Sequence, residues 1–296
     1  MEHLPPSVPR SRRAALAALL AVQALFGSLP VVAKVAFQSF GAMGVAAWRI
    51  GGAALVFAVW ARLARAPALP WREQPFVLMC AVLGVSGNQL LFLAGLARTS
   101  ATHASLLTTT IPVLTLLVAV GLGRERLSLR QVLGVALALS GVVGLLAMRD
   151  TTGASSLQGD LLILANASIY SVYLVLSRDL LARHAPTSVL PWLFGWGFLT
   201  ALPFTGAPPV DVDGAHAWVT LGYIVFGCTV GTYGLNLYAL RTLPSSTVAT
   251  LIYLQPFVAT ALAWPVLGEV PAVTMVLAAL VTFLGVGLAT RREDPT

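Results

Sequence analysis

Charge is what this sequence has least of. Asp, Glu, Lys and Arg make up 10% of its 296 residues, against roughly 25% in a soluble domain. So few charged side chains cannot cover a water-facing surface, which excludes a soluble globular protein and makes lipid the solvent. Acid is scarcer than base, with 11 Asp and Glu against 18 Lys and Arg and a net charge of +7. That excess sits in short clusters between apolar runs. It therefore reports membrane orientation and not a nucleic-acid partner. Cysteine is limited to Cys80 and Cys228, both inside apolar runs and without CxxC or His spacing, so they read as small apolar residues and no metal or cofactor is implied. Long polar connections are missing too, and no segment is large enough for a separate soluble domain. The last absence is of acid at mid-span. Asp160, Asp179, Glu125 and Glu269 all fall near the ends of apolar runs, so coupling through a carboxylate at mid-membrane is not supported, although a His or an end-of-helix carboxylate remains available.

What is present is apolar sequence, 57% of the chain, with a mean hydropathy of +0.85. About 20 such residues cross a bilayer as a helix. Ten runs of that kind occur, at 14–36, 42–64, 74–97, 101–122, 129–148, 158–178, 187–205, 216–240, 245–267 and 271–290. Arg10, Arg12 and Arg13 before the first run look like the start of a signal peptide. The run continues without a small-residue cleavage site and nine more follow, so it reads as a first transmembrane helix. The expected fold is an all-α integral membrane protein of ten transmembrane helices.

Basic residues orient it. With the N-terminus inside, cytoplasmic segments hold Arg10, Arg12, Arg13, Arg62, Arg65, Arg72, Arg124, Arg126, Arg130, Arg178, Arg183, Arg241, Arg291 and Arg292, whereas the opposite side holds Arg98 and Arg149. Fourteen against two places both termini in the cytoplasm and the chain in the cell (inner) membrane.

The segment Ala101–Arg126, with Pro112 near its middle and Glu125 at its end, returns at Ser245–Val270 with Pro256 and Glu269. The offset is constant (256 − 112 = 144 and 269 − 125 = 144). The same offset pairs Lys34 with Arg178, Trp48 with Trp192, Gly51 with Gly195, Gly87 with Gly231 and Gly141 with Gly285. The chain thus reads as two copies of one unit, 1–150 and 151–296. Five helices per copy is an odd number, so the second copy enters from the opposite side and the two five-helix repeats are inverted. Many secondary transporters have this architecture, with substrate bound between the halves near mid-membrane.

These motifs resemble the ten-helix members of the drug/metabolite transporter superfamily, of the EamA type, over nearly the whole chain. Phe26-Gly27 to Lys34 is similar to that family's Trp-Gly…Lys pattern on the first helix, with Phe in place of Trp. Arg49 matches the Arg of the second helix. Pro112 with Gly123-Arg124-Glu125-Arg126, Gly134 and Gly141, and then Leu267-Gly268-Glu269 with Gly285, resemble the fourth and fifth helices of each half. The resemblance implies export of amino acids or other metabolites and leaves the substrate open.

Polar side chains form stripes at mid-span depth. They comprise Gln23, Phe26, Pro30 and Lys34 on the first helix, and Asn88, Gln89 and Phe92 on the third. Asn166, Tyr170 and Tyr173 follow on the sixth, Thr229, Thr232, Tyr233 and Asn236 on the eighth. Singly, such residues are as well explained by interhelical hydrogen bonds. Together, and with Thr108, Tyr253 and Gln255 beside the mid-span prolines, they are read as lining one substrate cavity between helices 1, 3, 4, 6, 8 and 9. Neutral amides and phenols suit a zwitterion, and the aromatic faces suit an apolar or aromatic side chain. Pro30, Pro112 and Pro256 each free a carbonyl four residues earlier and are read as hinges or cavity-lining kinks. Lys34 and Arg49 are the intramembrane cations, functional candidates by default, Arg49 for a gate or a substrate contact. For Lys34 the alternative is snorkelling, and for Arg49 a structural bridge to a helix or a headgroup. His103 reads as interfacial. Ala136, Ser140 and Gly144, and Gly227 with Gly231, read as small-xxx-small packing seams.

The functional expectation is a non-enzymatic secondary transporter that exports small metabolites by alternating access, most of all amino acids with apolar or aromatic side chains. Its partners are a small-molecule substrate and the lipid bilayer, and it is read as a monomer. Alternatives are a multidrug or quaternary-cation, purine or nucleotide-sugar transporter of the same superfamily. The alternative of another class is an intramembrane transferase, against which the lack, at workable spacing, of an acidic metal cluster, a catalytic His/Asp pair or a Ser/His constellation counts.

Overall fold

The structure, a computed structural model, describes residues 12–147, 155–240 and 251–290. The first residues of the ninth expected run, 245–250, and both chain termini lie outside the described residues. Among the described residues there are helices and no strands. Eight helices are long and apolar enough to cross a membrane.

The first of these, Arg12–Leu63, has 52 residues. Straight, it would extend for roughly 78 Å, far beyond the ~30 Å hydrocarbon core, so it must bend. It does so at Gly41, whose φ of 65° and ψ of 165° lie outside the helical region and suit a residue without a Cβ. The two arms are α1 (12–40) and α2 (42–63). α3 (Trp71–Leu96), α4 (Ala101–Gly121), α5 (Leu129–Ala147), α6 (Leu157–Arg183), α7 (Pro186–Thr205) and α8 (Ala215–Asn236) follow. α9 (Ile252–Leu267) is shorter, and α10 (Val273–Thr290) closes the described chain. Ser100 and Ser156 cap α4 and α6, their hydroxyls accepting from His103 N and Gly159 N at 3.0 and 3.1 Å.

The prolines act differently from the expected kinks. α4 stops at Thr108 and restarts at Ile111, with Pro112 in the first turn of the new piece, where its missing N–H costs nothing. Pro256 has the same place in α9, after a 3₁₀ turn at Ile252–Leu254. α4 is therefore discontinuous at mid-span, and in α9 the proline opens the α-helical part of the described segment. Pro30 lies inside α1, as expected of a kink. α3 and α8 each contain π-helical turns, Val82–Ser86 and Tyr223–Gly231.

The small-residue seams also differ from expectation. α5 meets α10 through Gly134, Ala138 and Gly141 and not through Ala136 and Ser140, which face outward. A Cβ on Gly285 would lie 2.7 Å from Ala138 Cα and 2.8 Å from Gly134 O, and one on Gly141 would lie 2.7 Å from Thr282 N. The backbones thus touch, and only glycine permits the approach.

Packing repeats with the sequence offset. The Gly141–Thr282 contact corresponds to Gly285–Ala138. Gly27 against Gln255 O corresponds to Ser171, which donates to Ile111 O at 3.1 Å. Gly95 packs on Gly159 and Ile163, and its counterpart Ala239 packs with Ala15 and Leu19. Each pair of positions is 144 residues apart.

Candidate functional site

Arg49 is the centre of the polar interior. It is 7% exposed, and its Nε donates to Thr229 Oγ1 of α8 at 3.0 Å. Among the described residues it has no ion-pair partner. Its ionisable neighbours are the Cys228 thiol and the phenols of Tyr233 and Tyr170. The spacing that put Tyr170 and Tyr173 on one face of α6 holds, for their rings lie 5.6 Å apart. Tyr233 meets the rings of Phe57 and Phe194 at 5.8 and 5.5 Å. Tyr173, Ser177 and Tyr233 line a cavity of about 60 Å³ that runs to Leu180 and Pro186 at the end of α6 and the start of α7.

Four of the expected site residues come together in two pairs. Asn166 donates through Nδ2 to Asn88 O at 2.7 Å and to Asn88 Oδ1, while Asn88 donates to Gly84 O at 3.1 Å. Gln255 donates to Gln23 Oε1 at 2.8 Å, joining α9 to α1. Gln89 Oε1 and Asn236 Oδ1 are buried and accept no hydrogen bond among the described residues. Such acceptors are costly in a membrane interior unless a ligand or water supplies the donor.

Other expected site residues are not brought to this centre. Thr108 and Thr232 return their hydroxyl protons to their own helices, at Ser105 O (2.7 Å) and Thr229 O (2.8 Å). Phe26 and Phe92 pack with Leu29 and Leu93 in a separate apolar cluster. Tyr253 lies against Phe283 of α10, rings 5.9 Å apart. A larger, apolar cleft of about 300 Å³ lies between α4, α9 and α10 and includes Pro256, Phe257 and Phe283. Phe257, Val276 and Leu280 are exposed along it, so it faces the lipid and suits acyl chains more than a polar solute.

A second polar cluster, at the end of α1, was legible only in part. Lys34 Nζ lies 3.3 Å from Glu269 Oε1. The same carboxylate accepts from Ala101 N (3.0 Å) and Thr102 N (3.2 Å) at the start of α4. One acid thus holds α1, α4 and the end of α9 together and faces the positive end of a helix. Beside it, His103 is not interfacial. It is 3% exposed, with Nδ1 3.3 Å from Asp160 Oδ2, and Thr99 donates to the other carboxylate oxygen at 2.5 Å. At the opposite end, Arg124 pairs with Asp179, and Arg183 and His184 with Glu73. The image of Lys34–Glu269 at that end, Arg178 with Glu125, is unformed and both residues are exposed.

The comparisons with known proteins agree with this architecture. The EamA-like transporter family matches twice, over residues 13–147 and 157–291, spans that start 144 residues apart (157 − 13 = 144). A protein of Streptantibioticus cattleyicolor named "Probable terminal-alkyne amino-acid exporter" is 27% identical over 95% of this chain and 94% of its own. An uncharacterised transporter of Archaeoglobus fulgidus is 29% identical over 73% of this chain and 77% of its own. A solved crystal structure, 24% identical, matches the fold with a TM-score of 0.61 over 95% of this chain and 98% of that one.

Proposed function

Because the chain belongs to the EamA-like transporter family and is a multi-pass membrane protein, we propose that it exports amino acids with apolar or aromatic side chains by alternating access. Its halves, 1–150 and 151–296, are then two inverted five-helix repeats in the cell (inner) membrane with both termini cytoplasmic. The recurrence of contacts at the 144-residue offset supports this. The observation that carries the reading is an asymmetry in an otherwise repeated chain. Lys34 and Glu269 are joined on one side, and their images Arg178 and Glu125 are apart on the other. Two inverted halves that exchange conformations would make and break these pairs in turn, closing one side while the other opens.

The substrate class rests on the Asn88–Asn166 and Gln23–Gln255 pairs, the phenols around Arg49, and the relative named an amino-acid exporter. Neutral amides with one cation do not suit sugar phosphates or nucleotide sugars, which need more positive charge. A transferase reading is left with the buried His103–Asp160 pair, beside which no cluster of metal-ligating side chains stands among the described residues. The test is efflux from proteoliposomes loaded in parallel with labelled L-phenylalanine, L-leucine, a purine and a quaternary ammonium ion. Saturable efflux of the amino acids is expected. Efflux of the purine or the quaternary ion in their place would replace the reading.

A further inference from the structure

Among the described residues Arg49 is a cation without an anion in the interior of a membrane protein. Its guanidinium has five N–H donors, and one of them, on Nε, is engaged by Thr229. Around it are a thiol, two phenols and apolar side chains, with no carboxylate among the described residues in contact. An isolated buried charge of this kind is expensive, and it persists where a function requires it. The acids at the other polar layers are already engaged, Glu269 by Lys34 and Asp160 by His103 and Thr99. Among the described residues no buried acid is free to neutralise Arg49, which makes an incoming anion the candidate. One turn beyond Tyr233 on α8, Asn236 Oδ1 is buried and lacks a donor among the described residues. A guanidinium beside Tyr233 and a buried acceptor one turn along the same helix are thus both left with hydrogen-bonding capacity among the described residues.

We propose that Arg49 binds the carboxylate of the transported molecule and that Asn236 Oδ1 accepts from its ammonium group. The inference rests on the carrier reading above and narrows it. The substrate must carry a carboxylate, because a guanidinium matches that group with two parallel hydrogen bonds. Tyr170, Tyr173 and Tyr233 then face the side chain. A quaternary cation or an amine without a carboxylate would bring a second positive charge to the site with nothing to balance the first. This separates the amino-acid reading from the multidrug one by a single residue. Thr229 acts as a positioning residue, fixing the guanidinium through Nε so that its terminal nitrogens remain free for the ligand.

The experiment measures exchange of labelled L-phenylalanine in proteoliposomes against unlabelled L-phenylalanine, L-phenylalaninamide and phenethylamine as competitors. For the wild type, only L-phenylalanine is expected to compete. Arg49→Gln is expected to raise half-saturation by roughly ten- to a hundredfold, the range for losing one charge-assisted hydrogen bond, and to abolish the preference for the acid over the amide. Arg49→Lys keeps the charge and should keep the preference with weaker binding. A purely structural Arg49 would alter expression or stability and leave the competitor ratio unchanged. Equal competition by L-phenylalaninamide in the wild type overturns the inference even if Arg49→Gln fails to fold, and so does an unchanged ratio in a folded Arg49→Gln. If the wild type exchanges L-phenylalanine but the arginine variants match it, this inference fails alone. A wild type that exchanges no amino acid overturns both readings.

Discussion

Replacing Glu269 by Gln tests whether the polar cluster at the end of α1 is a latch. The carboxylate lies 3.3 Å from Lys34 Nζ and accepts from Ala101 N, Thr102 N and Thr102 Oγ1 at 3.0, 3.2 and 3.3 Å. Side-chain exposures of 21% for Lys34 and 11% for Glu269 put the pair between surface and interior. A glutamine keeps one acceptor oxygen for the helix start, but it loses the ion pair and presents an NH₂ where an oxygen accepted. Charge-assisted hydrogen bonds contribute about 1.5–3 kcal/mol each, and partial exposure reduces the ionic part. A loss of about 2 kcal/mol from the closed state is a reasonable figure. At about 1.4 kcal/mol per factor of ten, the closed-to-open ratio should fall roughly thirtyfold. Spin labels at Gln38 and Val270, both exposed near the cluster, report it by pulsed dipolar spectroscopy in a background lacking Cys80 and Cys228. A longer distance population should appear in Glu269→Gln and, less strongly, in Lys34→Gln, which leaves the helix start capped. Distance distributions identical to the wild type in both variants would refute the latch and the asymmetry argument with it.

Gly141→Ala and Gly285→Ala should each destabilise the protein by about 1–3 kcal/mol through overpacking of the α5–α10 seam, whereas Gly287→Ala, with open space around it, should be neutral; thermal unfolding in detergent separates the three. Asn166→Ala and Tyr170→Ala should slow amino-acid exchange with little loss of folded protein, since an interhelical hydrogen bond in a membrane contributes on average about 0.6 kcal/mol; wild-type exchange by both would make these groups packing polarity. Cysteines introduced at positions 2 and 294 should resist impermeant maleimide added to intact cells, and efficient labelling at either would overturn the inverted assignment. Sugar phosphates and nucleotide sugars should not be transported, and saturable uptake of one of them would contradict the reading of the interior charge.

Hydropathy was enough to locate the helices because each run must cross a fixed apolar thickness. The break at Gly41 falls in the interval 37–41 between the first two expected runs, which the structure joins into one bent helix. The α5 seam was misread because Gly134, Ala136, Ala138, Ser140, Gly141 and Gly144 put small residues all round one helix. Periodicity cannot choose a face there without the partner. Helical spacing put the amides on polar stripes without showing which would pair, and Lys34–Glu269 and His103–Asp160 likewise join residues far apart in the chain, with no local pattern to announce them. The burial of His103 followed the same rule, because only the α4–α6 contact supplies its partner. Arg49 was visible as a charge inside an apolar run, but its lack of a counter-ion among the described residues is a property of the folded chain.

The central claim is that this chain carries amino acids by alternating access, and counterflow tests it most directly. Proteoliposomes preloaded with unlabelled L-phenylalanine and diluted into labelled L-phenylalanine should accumulate label transiently above equilibrium, because a carrier that exposes one site to each side in turn exchanges faster than it equilibrates. Label that rises monotonically to equilibrium, or no uptake with any amino acid inside, would contradict the account.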